Sequence, residues 1–320
     1  MNEPLVSIVT PSLNQGRFIE NTLLSVKGQT YSHIEHIVVD GGSSDETVQI
    51  LRTYDGTYNM QWISESDRGM YDAINKGLLM ARGEILAYLN TDDLYLPWTV
   101  ETAVRYFTAH PATGLLFGDV LVLDACGNVV LHFQPPTPLE FLRRTGWSLP
   151  QPAVFWRRRV YDAIGGFDSH LQFAGDLDYW IRVSEQFTIS QIHEFMALSH
   201  VHEAAKSVVN RTAMSSEIDQ LLLHYARPTD LRSYRRVIEP KLYGWFWQRV
   251  YMAKFLLLYV AKKVGYTGLS WTYLLSLDGL ILGSWRESLL GFLPFGHRGR
   301  YRWTLSGTLG WSTKGFTYVR

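Results

Sequence analysis

Short apolar runs alternate with helical repeats along the first half of the chain. Residues 5–10 read as a strand, residues 11–16 as a turn-rich loop, and Ile19, Leu23 and Val26 then recur at helical spacing up to Gly28. Residues 34–39 form a second apolar run, followed by Asp40-Gly41-Gly42-Ser43-Ser44-Asp45-Glu46. Ser43 and Glu46 have capping-box spacing, which predicts a helix to about Tyr54. A third strand is predicted over 60–64 and a third helix over 71–81, with Gly83 just past its end. Residues 85–89 are almost continuously apolar, as in a strand buried on both faces of a parallel sheet. This alternation predicts βαβ units and an α/β fold with a mixed, mostly parallel sheet flanked by helices. Downstream, the pattern predicts a helix from Pro97 to about His110 and a strand over 115–119. A hairpin of 120–123 with 129–133 follows, then a strand over 151–156 and a helix opened by Arg157-Arg158-Arg159 and broken at Gly165.

The central run ends in Asn90-Thr91-Asp92-Asp93. Carboxylates at the carboxyl end of a central strand lie where open α/β sheets bind ligands. Two adjacent like charges repel unless a cation or ligand donors share them, and hard oxygen donors suit Mg2+ or Mn2+. The plainer alternative is that they turn the chain and cap the next helix, with Pro97 near its first turn. A dinucleotide-binding fold would use Asp40 on a ribose, but the first loop has one glycine, Gly16, where that fingerprint needs three.

Two later stretches carry further chemistry. Phe173-Ala174-Gly175-Asp176-Leu177-Asp178-Tyr179-Trp180 reads as the acidic first turn of a helix, where the dipole favours acids. One of the two aspartates is accounted for by capping; two acids, a glycine and flanking aromatics together read as a binding site with a positioned base. The apolar run ending at Ser199 leads into His200 and His202; one histidine there is usually structural, whereas His202 followed by Lys206 and Ser207 is able to offer a metal ligand and phosphate contacts.

These segments occur in an order that resembles the family 2 glycosyltransferases. They are residues 6–16, 39–45, Asp67-Arg68-Gly69 with Asp72-Ala73 and Asn75-Lys76-Gly77, Asn90 to Asp93, Gly118-Asp119, 165–168, Gly175 to Trp180, and His202 with Lys206-Ser207. The likeness spans about residues 4–210. It implies the nucleotide-sugar-binding type A fold, a Rossmann-like sheet flanked by helices, and an inverting enzyme moving a hexosyl-type sugar from a nucleoside-diphosphate donor to an acceptor hydroxyl. It further implies that Thr10, Pro11 and Asn14 line the nucleotide pocket and that Asp40 bonds the base. Asp67, Arg68 and Gly69 sit by the nucleotide, as do Asn75 and Lys76. Asp92 lies on the ribose side, Asp93 ligates Mn2+ or Mg2+ with His202, and Lys206 and Ser207 approach the diphosphate. Asp176 is the implied base, with Asp178 the alternative. Many members carry Glu directly before the base, where this chain has Gly175. Two rival readings are a nucleotide-sugar-binding protein without turnover and a sugar nucleotidyltransferase.

Composition adds a split. The net charge is zero, yet residues 1–226 carry 15 Lys and Arg against 26 Asp and Glu, and residues 227–320 carry 15 against 4. Such asymmetry suggests a tail with a polyanionic partner. A single cysteine, Cys126, excludes an intramolecular disulfide and fits a reducing compartment, and the start has no basic n-region of a secretory signal. Residues 1–212 are expected to form the catalytic domain and 213–320 a helical, basic and aromatic extension. The apolar run 255–261 is far short of the ~20 residues needed to span a bilayer. The extension therefore reads as lying on an anionic membrane surface, with packing on the domain or in a homo-oligomer as the alternative. Nucleic acid is not an expected partner. The expected setting is peripheral, at the cytoplasmic face of the cell membrane, with a glycan or lipid-linked acceptor.

Overall fold

A computed structural model describes residues 3–123, 129–133, 148–200, 210–225, 310–312 and 315–317. The chain divides into two compact units, Met1–Ala226 with Leu309–Tyr318, and Arg227–Thr308 with Val319–Arg320. The second lies outside the described residues, and so do Cys126, His202, Lys206 and Ser207.

The first unit alternates as its pattern predicts: β1 (Val6–Ser12), α1 (Gly16–Lys27), β2 (Ile34–Asp40), α2 (Thr47–Tyr54), β3 (Met60–Ser64), α3 (Met70–Met80) and β4 (Ile85–Tyr88). There follow β5 (Asp93–Tyr95), α4 (Thr99–Ala109), β6 (Thr113–Leu123), β7 (Val129–Phe133), β8 (Val154–Arg157), α5 (Arg158–Ile164), α6 (Gly175–Gln186), β9 (Thr188–His200) and α7 (Arg211–Tyr225). A separate antiparallel ribbon joins β10 (Gly310–Ser312) to β11 (Gly315–Thr317). The main sheet runs β3-β2-β1-β4-β8-β6-β9-β5, with β7 hairpinned onto β6. β1 to β4 are mutually parallel, β8 is antiparallel to both β4 and β6, and β9 is parallel to β6.

The chain passes from β1 to β2 on one side, then crosses back to place β4 on the other side of β1. Strand order reverses there, and the connections after β1 and β4 leave in opposite directions, opening a crevice at their carboxyl ends. β4 fills both layers. Leu86 and Tyr88 enter one core with α3, α5 and α6, while Ile85, Ala87 and Leu89 enter another with Val100, Ala103 and Phe107 of α4. The first core is unusually aromatic: Phe167 stacks on Tyr179 at 4.2 Å between ring centroids and meets Tyr88 edge-on at 5.4 Å.

Several boundaries depart from the pattern, each for a local reason. β1 continues through Pro11 to Ser12 because β4 pairs only as far as Val9, and a proline is tolerated where a neighbour has ended. No capping box opens α2; Asp45 Oδ1 accepts the Thr47 N–H at 3.0 Å, while Ser43 is engaged with Asp40 and Asn14. Gly83 is not a helix cap. A Cβ there would lie 2.6 Å from the Ser7 backbone nitrogen, so close approach to β1 demands glycine. Asp93 opens a short strand, β5, paired with β9, and Gln151 to Ala153 make a single 3-10 turn ahead of β8.

The boundary expected at 212 falls inside α7. That helix belongs to the first unit and buries Leu221 against the core of α3, α5 and α6. Among the described residues no helix is long and apolar enough to cross a membrane. The basic, aromatic stretch expected at the membrane lies outside them.

Candidate active site

The loops after β1 and β2 are fastened to each other. Asn14 sits in a left-handed conformation (φ 53°), its N–H donates to Ser43 Oγ at 2.7 Å, and its Oδ1 accepts the Ser44 N–H at 2.9 Å. The Gly16 N–H reaches Asp45 Oδ2 at 2.9 Å. Asp40, buried at the end of β2, organises its own loop. Oδ2 accepts the Ser43 N–H at 2.9 Å and the Ser64 hydroxyl at 2.6 Å, and Oδ1 accepts the Ser43 hydroxyl. The expected nucleotide residues Asn14 and Asp40 therefore shape one rigid rim.

Thr10 faces inward. Its Oγ1 bonds His36 Nε2 at 2.9 Å, and His36 Nδ1 bonds the Tyr58 hydroxyl at 2.7 Å. A neutral imidazole has one donor and one acceptor to match two hydroxyls. Burial drives its pKa down to about 3. The folded protein keeps this ring neutral, whereas the unfolded chain binds a proton below about pH 6.5. Its contribution to stability is thus complete above about pH 6.5 and declines toward pH 3, by up to about 1.4 kcal/mol per pH unit. Thermal unfolding across that range should fall less steeply in His36→Gln than in the wild type; equal slopes contradict the assignment.

Asp67, Arg68 and Gly69 form the turn into α3. Asp67 Oδ1 accepts the Gly69 N–H at 2.8 Å, and its other oxygen packs over Gly41 of the β2 loop. Arg68 pairs with Asp72 at 2.8 Å and Lys76 with Glu65 at 2.7 Å. Asn75 clamps the backbone of Phe167: its amide nitrogen donates to the carbonyl at 2.7 Å and its oxygen accepts the N–H at 2.9 Å.

The two central carboxylates stand apart from this rim. Thr22 Oγ1 bonds the backbone oxygens of Thr91 and Asp93 at 2.7 and 3.0 Å, fixing the turn after β4. Asp93 is buried, and burial followed by the charge of Asp92 holds its pKa well above the usual carboxylate range. Asn90 Nδ2 lies 3.4 Å from Asp93 Oδ2, while the buried Asn90 Oδ1 has no hydrogen-bond partner among the described residues. His200 closes β9 by bonding the Asp92 carbonyl at 3.0 Å. The histidine expected as the ligand, His202, is two positions on. Two neighbouring carboxylates, one of them buried, and an unpartnered amide oxygen form a hard donor set that suits a divalent cation. Among the described residues no three His, Cys, Asp or Glu side chains gather closely enough to hold one; the third expected ligand, His202, lies outside them.

Asp176 lies in the first turn of α6. Its Oδ2 accepts the Ser148 hydroxyl at 2.9 Å and its Oδ1 the Leu177 N–H at 2.7 Å. Burial raises its pKa. The buried phenol of Tyr88 feels the charges of both Asp176 and Asp93. Asp178 is fully engaged elsewhere, accepting from Arg182 Nε at 2.8 Å and from the Tyr225 hydroxyl at 2.6 Å. The glycine before Asp176 also has a local cause. A Cβ on Gly175 would lie 2.7 Å from the Tyr71 ring, whose hydroxyl accepts the Asp176 N–H at 3.3 Å and donates to the Phe173 carbonyl at 3.1 Å. Ser148, Tyr71 and Gln151, which bridges Tyr88 O at 2.8 Å and Asn90 at 3.0 Å, have no spacing signal. Each is brought in by tertiary packing from a different segment.

The fold is shared with solved structures. A mannosyltransferase from Pyrobaculum calidifontis, in complex with GDP-Man and Mn2+, superposes with a TM-score of 0.56 at 17% identity, covering 89% of this chain and 82% of that one. S. aureus TarS residues 1–349, in complex with UDP-GlcNAc, gives a TM-score of 0.52 at 20% identity; the match covers 62% of this chain and 59% of that structure. The sheet is that of the type A glycosyltransferase fold. In sequence, a PGL/p-HBAD biosynthesis glycosyltransferase of Mycobacterium tuberculosis is 31% identical over 185 residues, 57% of this chain and 70% of the relative. Residues 7–149 match the family described as Glycosyl transferase family 2. The chain belongs to glycosyl transferase family 2 and is a glycosyltransferase.

Proposed function

We propose that the protein is a metal-dependent inverting glycosyltransferase that takes a nucleoside-diphosphate sugar as donor and a lipid-linked glycan or surface-polysaccharide precursor as acceptor. The observation that carries this reading is that Asp93 and Asp176 both lie close enough to Tyr88 to act on its phenol, the one suited to a cation and the other to a proton. Solved relatives by fold bind UDP-GlcNAc and GDP-Man.

The fastened loops after β1 and β2, with Pro11, Asn14, Asp40 and the turn Asp67 to Gly69, form the nucleotide side of the crevice, and Thr10, whose hydroxyl is turned inward to His36, supports it from beneath. Asp92 serves the ribose. Asp93, with His202, would hold Mn2+ or Mg2+, and Lys206 and Ser207 would approach the diphosphate. A bound divalent ion supplies charge neutralisation for the departing diphosphate, an effect larger in the transition state than before it. Asp176 accepts the acceptor's hydroxyl proton. The acceptor oxygen bonds to the anomeric carbon, the bond from that carbon to the diphosphate oxygen breaks, and the electron pair leaves with the nucleoside diphosphate. One base and one displacement invert the anomeric centre. Its raised pKa makes Asp176 a stronger base than a solvated carboxylate, and Asp178, held by Arg182 and Tyr225, serves to orient α6.

The acceptor class rests on the basic, aromatic residues 227–320, suited to an anionic surface at the cytoplasmic face of a membrane. Co-sedimentation with vesicles containing anionic lipid, and none with neutral ones, is the expected result; equal behaviour with both removes the membrane from the account. Turnover is tested by incubating the chain with UDP-, GDP- and dTDP-sugars, Mn2+ and lipid extract. Release of nucleoside diphosphate is expected from one donor, and release of pyrophosphate or of nothing rejects the reaction.

A further inference from the structure

The helix after the catalytic core reaches back to the candidate base. Glu217, on α7, directs its carboxylate at three consecutive backbone N–H groups just ahead of α6. Oε1 accepts from Phe173 and Ala174, both at 2.7 Å, and Oε2 accepts from Gln172 at 2.9 Å. Asp176 is two residues further on. Consecutive N–H groups pointing at one anion, at the positive end of a helix, make a concave cradle that favours a charged acceptor. Eight residues along the same helix, Tyr225 bonds Asp178 at 2.6 Å, so α7 grips the first turn of α6 at two points.

Three features make this grip more than a surface tie. Gly175 leaves no room for a side chain beside Asp176, because the Tyr71 ring fills that space. An acid cannot stand there, and a negative charge acting on the base comes instead from Glu217, 41 positions downstream in sequence. Charge-assisted hydrogen bonds are roughly twice as strong as neutral ones, and three on one carboxylate define the path of the loop. Finally, among the described residues Tyr71 from α3, Tyr88 from β4 and Glu217 from α7 are titratable groups whose charge couples to Asp176.

We propose that Glu217 is a positioning residue for the base: by holding the N–H groups of Gln172, Phe173 and Ala174 it sets where the Asp176 carboxylate stands in the crevice. The inference rests on the reading of Asp176 as base. Glu217 touches neither donor nor acceptor in this account, so its loss acts on kcat and not on donor KM. Its negative charge also raises the pKa of Asp176, so removing that charge moves the acid limb of the kcat profile to lower pH.

The test compares Glu217→Ala, Glu217→Gln and Leu221→Ala in the full chain, each assayed for sugar transfer across pH with the donor that the wild type uses. Leu221 lies on the same helix and is buried in the core, so Leu221→Ala loosens α7 without touching the cradle. Glu217→Ala should lower kcat by up to about 10²-fold with donor KM nearly unchanged, since misplacing a reacting group by about 1 Å costs that much. Its acid limb should move down in pH, with Glu217→Gln intermediate in kcat. Leu221→Ala should lower Tm and leave the acid limb in place. A Glu217→Ala enzyme with wild-type kcat and acid limb overturns the proposal, as does a Leu221→Ala enzyme showing the same kcat loss and the same pH shift. Asp176→Asn separates the two levels. If it abolishes transfer while Glu217→Ala is silent, only the positioning role falls; if it is fully active, the base assignment falls and this proposal with it.

Discussion

Asp176→Asn should lower kcat for sugar transfer by about 10²–10⁴-fold, the usual worth of a positioned general base. Donor binding should stay at the wild-type level. Asn is nearly isosteric and still accepts the Leu177 N–H through its side-chain oxygen, so the loop and its Ser148 contact retain their shape. What it loses is the capacity to take a proton. Asp178→Asn gives the contrasting result. It weakens the bonds to Arg182 and Tyr225 and should show first as a lower Tm, with kcat falling far less. Steady-state kinetics with a thermal melt on each variant reads both. An Asp176→Asn enzyme within tenfold of wild type, or an Asp178→Asn enzyme inactive at unchanged Tm, reverses the assignment.

Asp93→Asn should eliminate metal-dependent transfer and at the same time stabilise the metal-free protein at neutral pH. The two effects share a cause. Asp93 is a buried carboxylate beside Asp92, and burial of a charge next to a like charge opposes folding unless a cation is present. Asn keeps the contact to Asn90 and the pairing of β5 with β9 while removing the charge. Each kcal/mol so relieved raises Tm by about 2–4 °C in a domain of this size. Melts in the presence of a chelator measure the gain, and activity with Mn2+ restored measures the loss. A metal-free Tm below that of the wild type would mean that Asp93 is structural.

Much of this architecture is legible along the chain because its signals are local. Apolar runs of strand length alternate with helical spacing, and a short run as uniformly apolar as 85–89 in that alternation fits a strand covered on both faces, as the structure has it. Asp92 and Asp93 stood out for the same reason: they end that strand. Local signals also misled. Ser43 and Glu46 have capping-box spacing, yet Ser43 is drawn off by Asp40 and Asn14 from another loop. The plainer alternative for Asp93, a turn residue, omits that it opens a strand, because β9, more than a hundred residues later, arrives to pair with it. The partners of the base are the clearest illegible part. Ser148, Tyr71 and Glu217 come from three separate segments, and no spacing rule connects residue 217 with residues 172–174. The boundary at 212 missed α7 because charge and aromatic content change only near residue 227, whereas the packing that ties the helix down, through Leu221 and Tyr225, is tertiary.

Donor binding at the crevice between β1 and β4 is the central claim, and a thermal-shift matrix tests it most directly. UDP-, GDP- and dTDP-sugars are each added with and without Mn2+ to the wild type, Asp93→Asn and Asp176→Asn. A ligand at about 100 times its Kd stabilises the folded state by about 2.7 kcal/mol. The account predicts that one nucleotide class raises Tm only with Mn2+, equally in the wild type and Asp176→Asn, and not in Asp93→Asn. No shift with any donor, or the same shift in Asp93→Asn, would contradict it.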